Sequence, residues 1–312
     1  MSAAAMAVAL ATGGALGWPD QLRRAIGHPV TWLGRLITHL DRRLNLDEDE
    51  PATRRFWGRV ALGIILLTAV LPTLFITAIL PDGWVGVLLT GLIAAPLVAP
   101  RSTYTQVADV AAHLAAQDLP AARSAVARII SLNPETRDTD AIARATIESL
   151  ARNTSDCVVA PIFWGVLFGL PGIAAYKAID TADSLIADKS DRHINFGRAT
   201  ASLDDIVNWV PARLTALFIA AVQPNPLRAL KVTFQHAGSH RSPNAGWPQA
   251  AMAGALNIRL SGPHNDPEGP HGDPFVNSGA PDPSAVDIER ALTLYLRAIG
   301  LLAVALCILA IT

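Results

Sequence analysis

Charge is scarce in this chain. Asp, Glu, Lys and Arg make up 16% of its 312 residues, against the ~25% of ordinary globular proteins. Apolar residues make up 51% and the mean hydropathy is +0.33. That shift points to helices that face lipid. An excess of either sign is also lacking: the net charge is -1, which excludes the basic footprint of a nucleic-acid binder. Cysteine is nearly absent. Cys157 and Cys307 lie far apart inside apolar stretches, which excludes a disulfide framework and a zinc knuckle. Only three of the 25 basic residues are lysines (Lys177, Lys189 and Lys231), a bias we read as genome composition. Several catalytic motifs are missing: a Gly-x-x-x-x-Gly-Lys-[Ser/Thr] loop, a dinucleotide-binding glycine fingerprint, His-Glu-x-x-His and a nucleophile elbow. If ATP is used, something other than a P-loop binds it.

What is present is a set of long apolar runs. A bilayer-spanning helix needs roughly 20 mostly apolar residues. Val60 to Leu80 and Trp84 to Ala99 meet or approach this and, joined by Pro81-Asp82-Gly83, read as a helical hairpin. Leu292 to Thr312 is a third span, with Arg297 near its start, where its side chain can snorkel to the interface. Ser2 to Leu16 is apolar but has no basic segment before it, so a short anchor or buried helix fits better than a cleaved signal peptide. Two further runs are interrupted. Cys157 to Ala175 holds Pro161, Gly165, Gly169, Pro171 and Gly172, and Ile206 to Val222 holds Pro211 and Arg213. Irregular backbone survives at membrane depth only where protein or water satisfies it, so these segments read as re-entrant or packed against other helices.

The fold class expected is therefore all-α: a polytopic helical integral membrane protein with cytoplasmic helices and polar loops, treated as a single domain over 1–312. Residues 60–100 form the transmembrane hairpin, 101–156 soluble helices, 157–222 the interrupted segments, 223–291 a polar loop region and 292–312 the last transmembrane helix. In the second region, Val107, Val110, Ala111 and Leu114 follow the spacing of one helical face, and Arg144–Glu148 and Glu148–Arg152 are spaced to pair. Ser261 to Pro283, rich in Gly, Pro, His and Asp, reads as a long surface loop. Basic residues number eight in 18–59, six in 100–156, five in 223–291 and four in 177–205. Since basic loops mark the cytoplasmic side, we expect one or both interrupted segments not to span, which leaves the polar loops on the cytoplasmic face.

Polar residues concentrate in four clusters. The first is Gly27-His28-Pro29-Val30, leading into Trp32-Leu33-Gly34-Arg35. The second runs from Arg137-Asp138-Thr139 through Glu148 to Asn153-Thr154-Ser155-Asp156. The third joins Tyr176 to Ser184 with Phe196-Gly197-Arg198 and Asp204 to Trp209. The fourth is Ser242-Pro243-Asn244-Ala245-Gly246-Trp247-Pro248. On a helix, Tyr176, Asp180, Asp183 and Ser184 share one face. A lysine beside carboxylates suits an anion or a magnesium-bound phosphate, because magnesium takes carboxylate oxygens and keeps several waters; it also suits a plain ion-paired surface. Asp204 and Asp205 fit a metal site or the cap of a following helix. Glu148 fits an ion pair or a site. The Ser242–Gly246 stretch fits a turn, or a nest of N–H groups facing an anion. His28 fits a ligand, a base or a structural hydrogen-bonder. His236 and His240 have chelating spacing but no evident third ligand.

In this order and among these runs, the clusters resemble the CbiB/CobD family of cobalamin biosynthesis, the adenosylcobinamide-phosphate synthases. The resemblance covers nearly the whole chain. It is carried by IESLARNTSDCVVAPIFW (147–164), YKAIDTADSLI (176–186), FGRATASLDDIVNWVPARLTAL (196–217) and SPNAGWPQAAMAGAL (242–256), with GHPVTWLGRLI (27–37) and Arg137-Asp138-Thr139 in support. The chain departs from the family pattern at Cys157, usually Gly, at Arg152, commonly acidic, at Gly17-Trp18-Pro19, often Gly-Asp-Pro, and over 261–283.

The resemblance implies a reaction. The propionate carboxylate of adenosylcobyric acid is joined to aminopropanol or its O-phosphate in an ATP-dependent, magnesium-assisted amide ligation, beside the lipid bilayer and in company with later enzymes of the pathway. It also implies roles. Asp180, Asp183 and Asp204 are expected to hold magnesium. Asp183, Asp180, Glu148 and Asp205 are expected to act in catalysis. Lys177 and Arg198 are expected to bind phosphate, and Asn153, Asp156, Ser242, Asn244 and His28 to contact substrate. The rival is a non-catalytic corrinoid transporter component or an AmpE-like signalling protein. A transporter puts ionisable groups in its spans at the midplane. Here only Arg213 and Arg297 lie within candidate spans and the acids lie in loops, which favours the enzyme.

Overall fold

A computed structural model describes residues 1–18, 24, 27–130, 138–262, 264–266, 269–271 and 273–311; Arg137 lies outside them. The architecture is helical. Among the described residues, four stretches are long and apolar enough to cross a membrane: Pro51–Ile79, Gly83–Ala115, Thr139–Ile186 and Ala285–Ile311. The chain divides into two compact units.

The first unit comprises 1–99, 160–208 and 306–312. It contains α1 (Ser2–Ala15), α2 (Pro29–Leu44), α3 (Pro51–Ile79), α4 (Gly83–Ala94), α5 (Ala160–Ile186) and α6 (Arg198–Val207). The apolar N-terminal stretch is a packed helix: α1 lies against α4 and α5, with Ala5, Met6 and Ala9 buried. Small residues permit the approach, since a Cβ at Gly91 would meet the Val8 side chain at 2.6 Å. α2, α3 and α5 enclose a core of Ile37, Ala61, Ile65, Ala178, Ala182, Ile186 and Phe196. The run from Cys157 to Ala175, expected to be interrupted, is broken at one residue. Gly169 adopts φ 65° and ψ -148° inside α5, a region open essentially to glycine alone, and the helix kinks there.

The second unit comprises 100–159 and 209–305. It contains α7 (Pro100–Ala115), α8 (Leu119–Val126), α9 (Thr139–Thr154), α10 (Trp209–Ala221), α11 (Pro226–His236), α12 (Gly246–Leu256) and most of α13 (Ala285–Ile311). α7, α8 and α9 make the described part of 101–156 largely helical, and Val107, Val110, Ala111 and Leu114 point into the core. The polar region 223–291 differs from the loop expected. It holds α11, begun by the Asn225 side chain accepting from the Arg228 N–H at 3.3 Å, and α12, which is buried almost all round. A helix apolar on every face belongs in a core, and α12 packs between α10 and α11. Within 261–283 the backbone forms a small antiparallel hairpin, β1 (His264–Asp266) with β2 (Gly269–His271).

Candidate functional site

In the first unit, α5 and α6 carry the third sequence cluster. Lys177, three residues before Asp180, forms an ion pair with it at 2.8 Å; the side chains are 11% and 18% exposed. The Tyr176 hydroxyl donates to Asn208 Oδ1 at 2.9 Å, and Asn208 Nδ2 donates to Asp204 Oδ1 at 3.0 Å. A buried asparagine costs free energy unless both ends of its amide are satisfied, and these bonds meet that requirement while fixing the Asp204 carboxylate. Asp204 and Asp205 do not cap the following helix: both lie in the last turn of α6, which runs to Val207. Partial desolvation raises the Asp205 carboxyl above its usual value, although much of the residue stays exposed. That shift suits a proton acceptor. Asp183 is half-buried, and Arg198 is exposed at the first position of α6.

A polar clamp holds the 187–197 connection between these two helices. Arg192 pairs with Asp41 at 2.9 Å, and Asn45 donates to the Arg192 carbonyl at 3.0 Å. Arg54 reaches the Asp191 carbonyl at 3.1 Å. Hydrogen bonds from Ser190 and His193 hold the Asp188 carboxyl down at about 2. No spacing in the sequence announces this clamp, because its partners come from α2, the start of α3 and the loop. His28 has a structural position: it precedes α2 and its Nδ1 accepts from the Val30 N–H at 3.2 Å, against the edge of Trp18.

Among the described residues, no group of three or more His, Cys, Asp or Glu side chains could hold a metal ion. Asp180, Asp183 and Asp204 therefore do not make a three-carboxylate cage. Magnesium that arrives on a nucleotide needs one or two carboxylates beside phosphate oxygens, and Asp180 and Asp183, one helical turn apart, fit that smaller requirement.

In the second unit, the Ser242–Gly246 stretch is a turn pinned from within. Ser242 Oγ accepts from the N–H groups of Asn244 and Ala245, each at 3.3 Å. Those donors are engaged, so the turn is no open anion nest. Asn244 is buried, and its Oδ1 accepts from Arg213 at 3.2 Å. The Arg213 guanidinium lies between the rings of Trp209 and Trp247, 4.2 and 4.4 Å from their centroids, a favourable cation–π arrangement. Glu148 Oε1 accepts from the Ser261 N–H at 2.6 Å, tying α9 to the strap before β1. Arg144, expected to pair with Glu148, instead pairs with Asp282, which Arg259 also binds. Asn153 donates to Ser149 Oγ at 3.2 Å, and Asp156 pairs with Arg152 at 3.3 Å.

Sequence reasoning missed the role of His240. Its Nδ1 accepts from the Ser242 N–H at 2.9 Å and its Nε2 lies 3.3 Å from Asp273, whose other oxygen accepts from the Arg241 N–H at 2.9 Å. Burial lowers the His240 pKa, against the pull of the Asp273 charge. An unfolded chain takes up this proton near ~6.5 and the folded one only at lower pH. The stabilisation is thus complete above the unfolded value and is lost as pH falls through the folded one. Thermal unfolding in detergent should therefore drop more steeply below about pH 6.5 for the wild type than for His240→Asn, which keeps an acceptor but cannot titrate. Coincident slopes would show that this imidazole does not respond.

Long apolar helices, one of which carries Lys177 and Asp180 near its end, define a helical membrane protein. More particularly, the chain belongs to the CobD/Cbib protein family, whose profile matches residues 6–295. It is 50% identical over 298 residues to the cobalamin biosynthesis protein CobD of Rhodobacter capsulatus, covering 96% of this chain and 94% of that one. The protein of the same name from a Sinorhizobium species is 42% identical over 265 residues, with 83% and 82% covered. That of Rhizobium meliloti is 39% identical over 302 residues, with 93% and 91% covered. No solved structure is significantly similar. Membership in this family gives the chain a role in cobalamin biosynthesis.

Proposed function

We propose that the chain is an adenosylcobinamide-phosphate synthase, with its polar loops on the cytoplasmic face of a cell membrane. It joins the propionate carboxylate of adenosylcobyric acid to the amine of aminopropanol or its O-phosphate, at the expense of ATP. The observation that carries this reading is the Lys177–Asp180 pair on α5, largely buried, with a second carboxylate, Asp204, fixed by Asn208, which in turn accepts from Tyr176, the neighbour of Lys177.

A carboxylate is a poor electrophile because its leaving group would be oxide. In the reaction proposed, its oxygen attacks the γ-phosphorus of ATP and ADP departs, leaving an acyl phosphate. The amine then attacks the carbonyl carbon, phosphate leaves, and a carboxylate takes the amine proton. Magnesium, when bound with ATP, supplies neutralisation of phosphate charge. Lys177 and Arg198 steady the transferred phosphoryl group, Asp180 and Asp183 would hold the nucleotide's cation, and Asp205 is the candidate proton acceptor. For Ser242, Asn244, Glu148, Asn153 and Asp156, all in the second unit, a substrate contact rests on the family resemblance alone.

The test is direct. Purified protein in detergent, given adenosylcobyric acid, aminopropanol phosphate, ATP and magnesium, is expected to release the amide product with ADP. Corrinoid binding without product would instead favour a transport component. Asp183→Asn should abolish ligation while the protein still inserts, and near-normal turnover would remove Asp183 from the catalytic set.

A further inference from the structure

The first unit contains an apolar cavity that the ligation chemistry does not use. It measures about 360 Å³ and is lined by Val70, Trp164, Phe168, Pro171, Gly172, Ala175, Tyr176, Ile179 and Val207, a size in the range of small-ligand sites. We propose that it is a binding site for an acyl chain of a membrane lipid.

Three observations support this. The first is depth. Val70 lies well inside Pro51–Ile79, a helix long and apolar enough to cross the membrane, and the opposite wall is the stretch of α5 kinked at Gly169. On these two helices Leu67, Leu71, Leu74, Leu167 and Phe168 are apolar and exposed, the pattern of side chains that face hydrocarbon. The second is chemistry. Only two side chains in the lining carry a polar atom, and both atoms are engaged: Trp164 Nε1 donates to the Val207 carbonyl at 3.0 Å, and the Tyr176 hydroxyl donates to Asn208. A corrinoid rimmed with amides, a nucleotide or a lipid headgroup would lose its hydrogen bonds to water there without replacement. A methylene chain has none to lose. The third is shape. The left-handed backbone at Gly169 breaks the helix on the cavity's own wall, and a Cβ at Gly172 would meet the Trp164 carbonyl at 2.3 Å. The wall is thus shaped by backbone geometry, with the Trp164 and Phe168 rings stacked 5.8 Å apart upon it. An occupant would also press on Tyr176 and Val207, the neighbours of the Asn208–Asp204 pair. This site neither needs the ligation reading nor supports it.

The experiment uses the full chain in phosphatidylcholine vesicles containing a trace of phosphatidylcholine with a mid-chain diazirine, irradiated and mapped by mass spectrometry. Adducts on Trp164, Phe168, Tyr176 and Ile179 are expected to exceed those on the outward-facing Leu296, Val304 and Ile308 of α13 about tenfold, the ratio that about 1.4 kcal/mol of preference gives. Ala175→Phe, which fills the cavity from α5, should reduce them to the α13 level with helical circular dichroism retained. Val70→Trp, which fills it from α3, should do the same if Ala175→Phe does not fold. Equal labelling of cavity and α13 residues in the wild type, or enrichment that survives in a folded filled variant, would overturn the site. Neither result bears on amide formation, which is assayed separately.

Discussion

Lys177→Met is expected to cut ligation by about 10² to 10³-fold, the loss that follows removal of one group aimed at developing charge. The residue is 8% exposed, and a buried ammonium persists only where a partner or a bound anion compensates its desolvation. Asp180 supplies that compensation at 2.8 Å. Removing the cation from a buried pair costs ~3–5 kcal/mol because the remaining charge is stranded. Here the carboxylate is still 18% exposed, so water relieves part of that cost and about 2 kcal/mol of lost stability is the expected scale. The two losses can be separated. Lys177→Met with Asp180→Asn removes both charges, so the melting temperature in detergent should recover. Turnover should not recover if the ammonium acts on the transferred phosphoryl group. Recovered turnover would show that Lys177 and Asp180 serve only as each other's partner, and both would leave the catalytic set. Lys177→Arg is expected to rescue poorly, since a planar guanidinium does not reproduce a compact ammonium in a helix interior.

The spans were legible because run length and turn residues state them openly, as in Val60–Leu80 followed by Pro81-Asp82-Gly83. The break at Gly169 was legible as a Gly- and Pro-rich interruption, although only the structure shows which residue takes the left-handed backbone. The helices within 223–291 were missed for different reasons. α11 opens on Asn225-Pro226, a helix-start pair set inside a segment of polar composition. The run in α12 is too short to look like a span and too apolar to look amphipathic. At the candidate site, helical spacing put Tyr176, Asp180 and Asp183 on one face, yet it could not pair Tyr176 with Asn208 or Arg144 with Asp282. Those pairs join residues 32 and 138 positions apart, and no local pattern encodes them. The same holds for His240, which spacing suggested as half of a chelate and the structure shows bracing a turn through Asp273.

The tightest constraint in the first unit is steric, and Gly197→Ala is expected to expose it. A Cβ there would stand 1.7 Å from the Ile186 carbonyl oxygen and 2.8 Å from Ala187 Cα. These are backbone atoms at the end of α5, so no side chain can rotate away. On the neighbouring residue the fit is equally close: a Cβ at Gly58 would stand 2.0 Å from the Phe196 carbonyl oxygen. Phe196-Gly197 is thus wedged between α3 and the end of α5, with the Phe196 ring in the core beside Ile37 and Ile65. Overpacking a fitted contact costs ~1–3 kcal/mol, occasionally more, and the backbone-on-backbone clash puts Gly197→Ala at the top of that range, about 3 kcal/mol. The strain falls on the two residues that lead into α6, so Arg198, Asp204 and Asp205 should shift with it. Gly63→Ala is the control. That glycine sits in α3 with nothing within 4 Å of its would-be Cβ, and alanine in a helix interior gains up to about 1 kcal/mol over glycine. Thermal unfolding in detergent should therefore place Gly197→Ala well below the wild type and Gly63→Ala at or slightly above it, with turnover lost only in the first. Equal melting temperatures for both variants would mean that α3, the 196–197 wedge and α5 are not packed as closely as described.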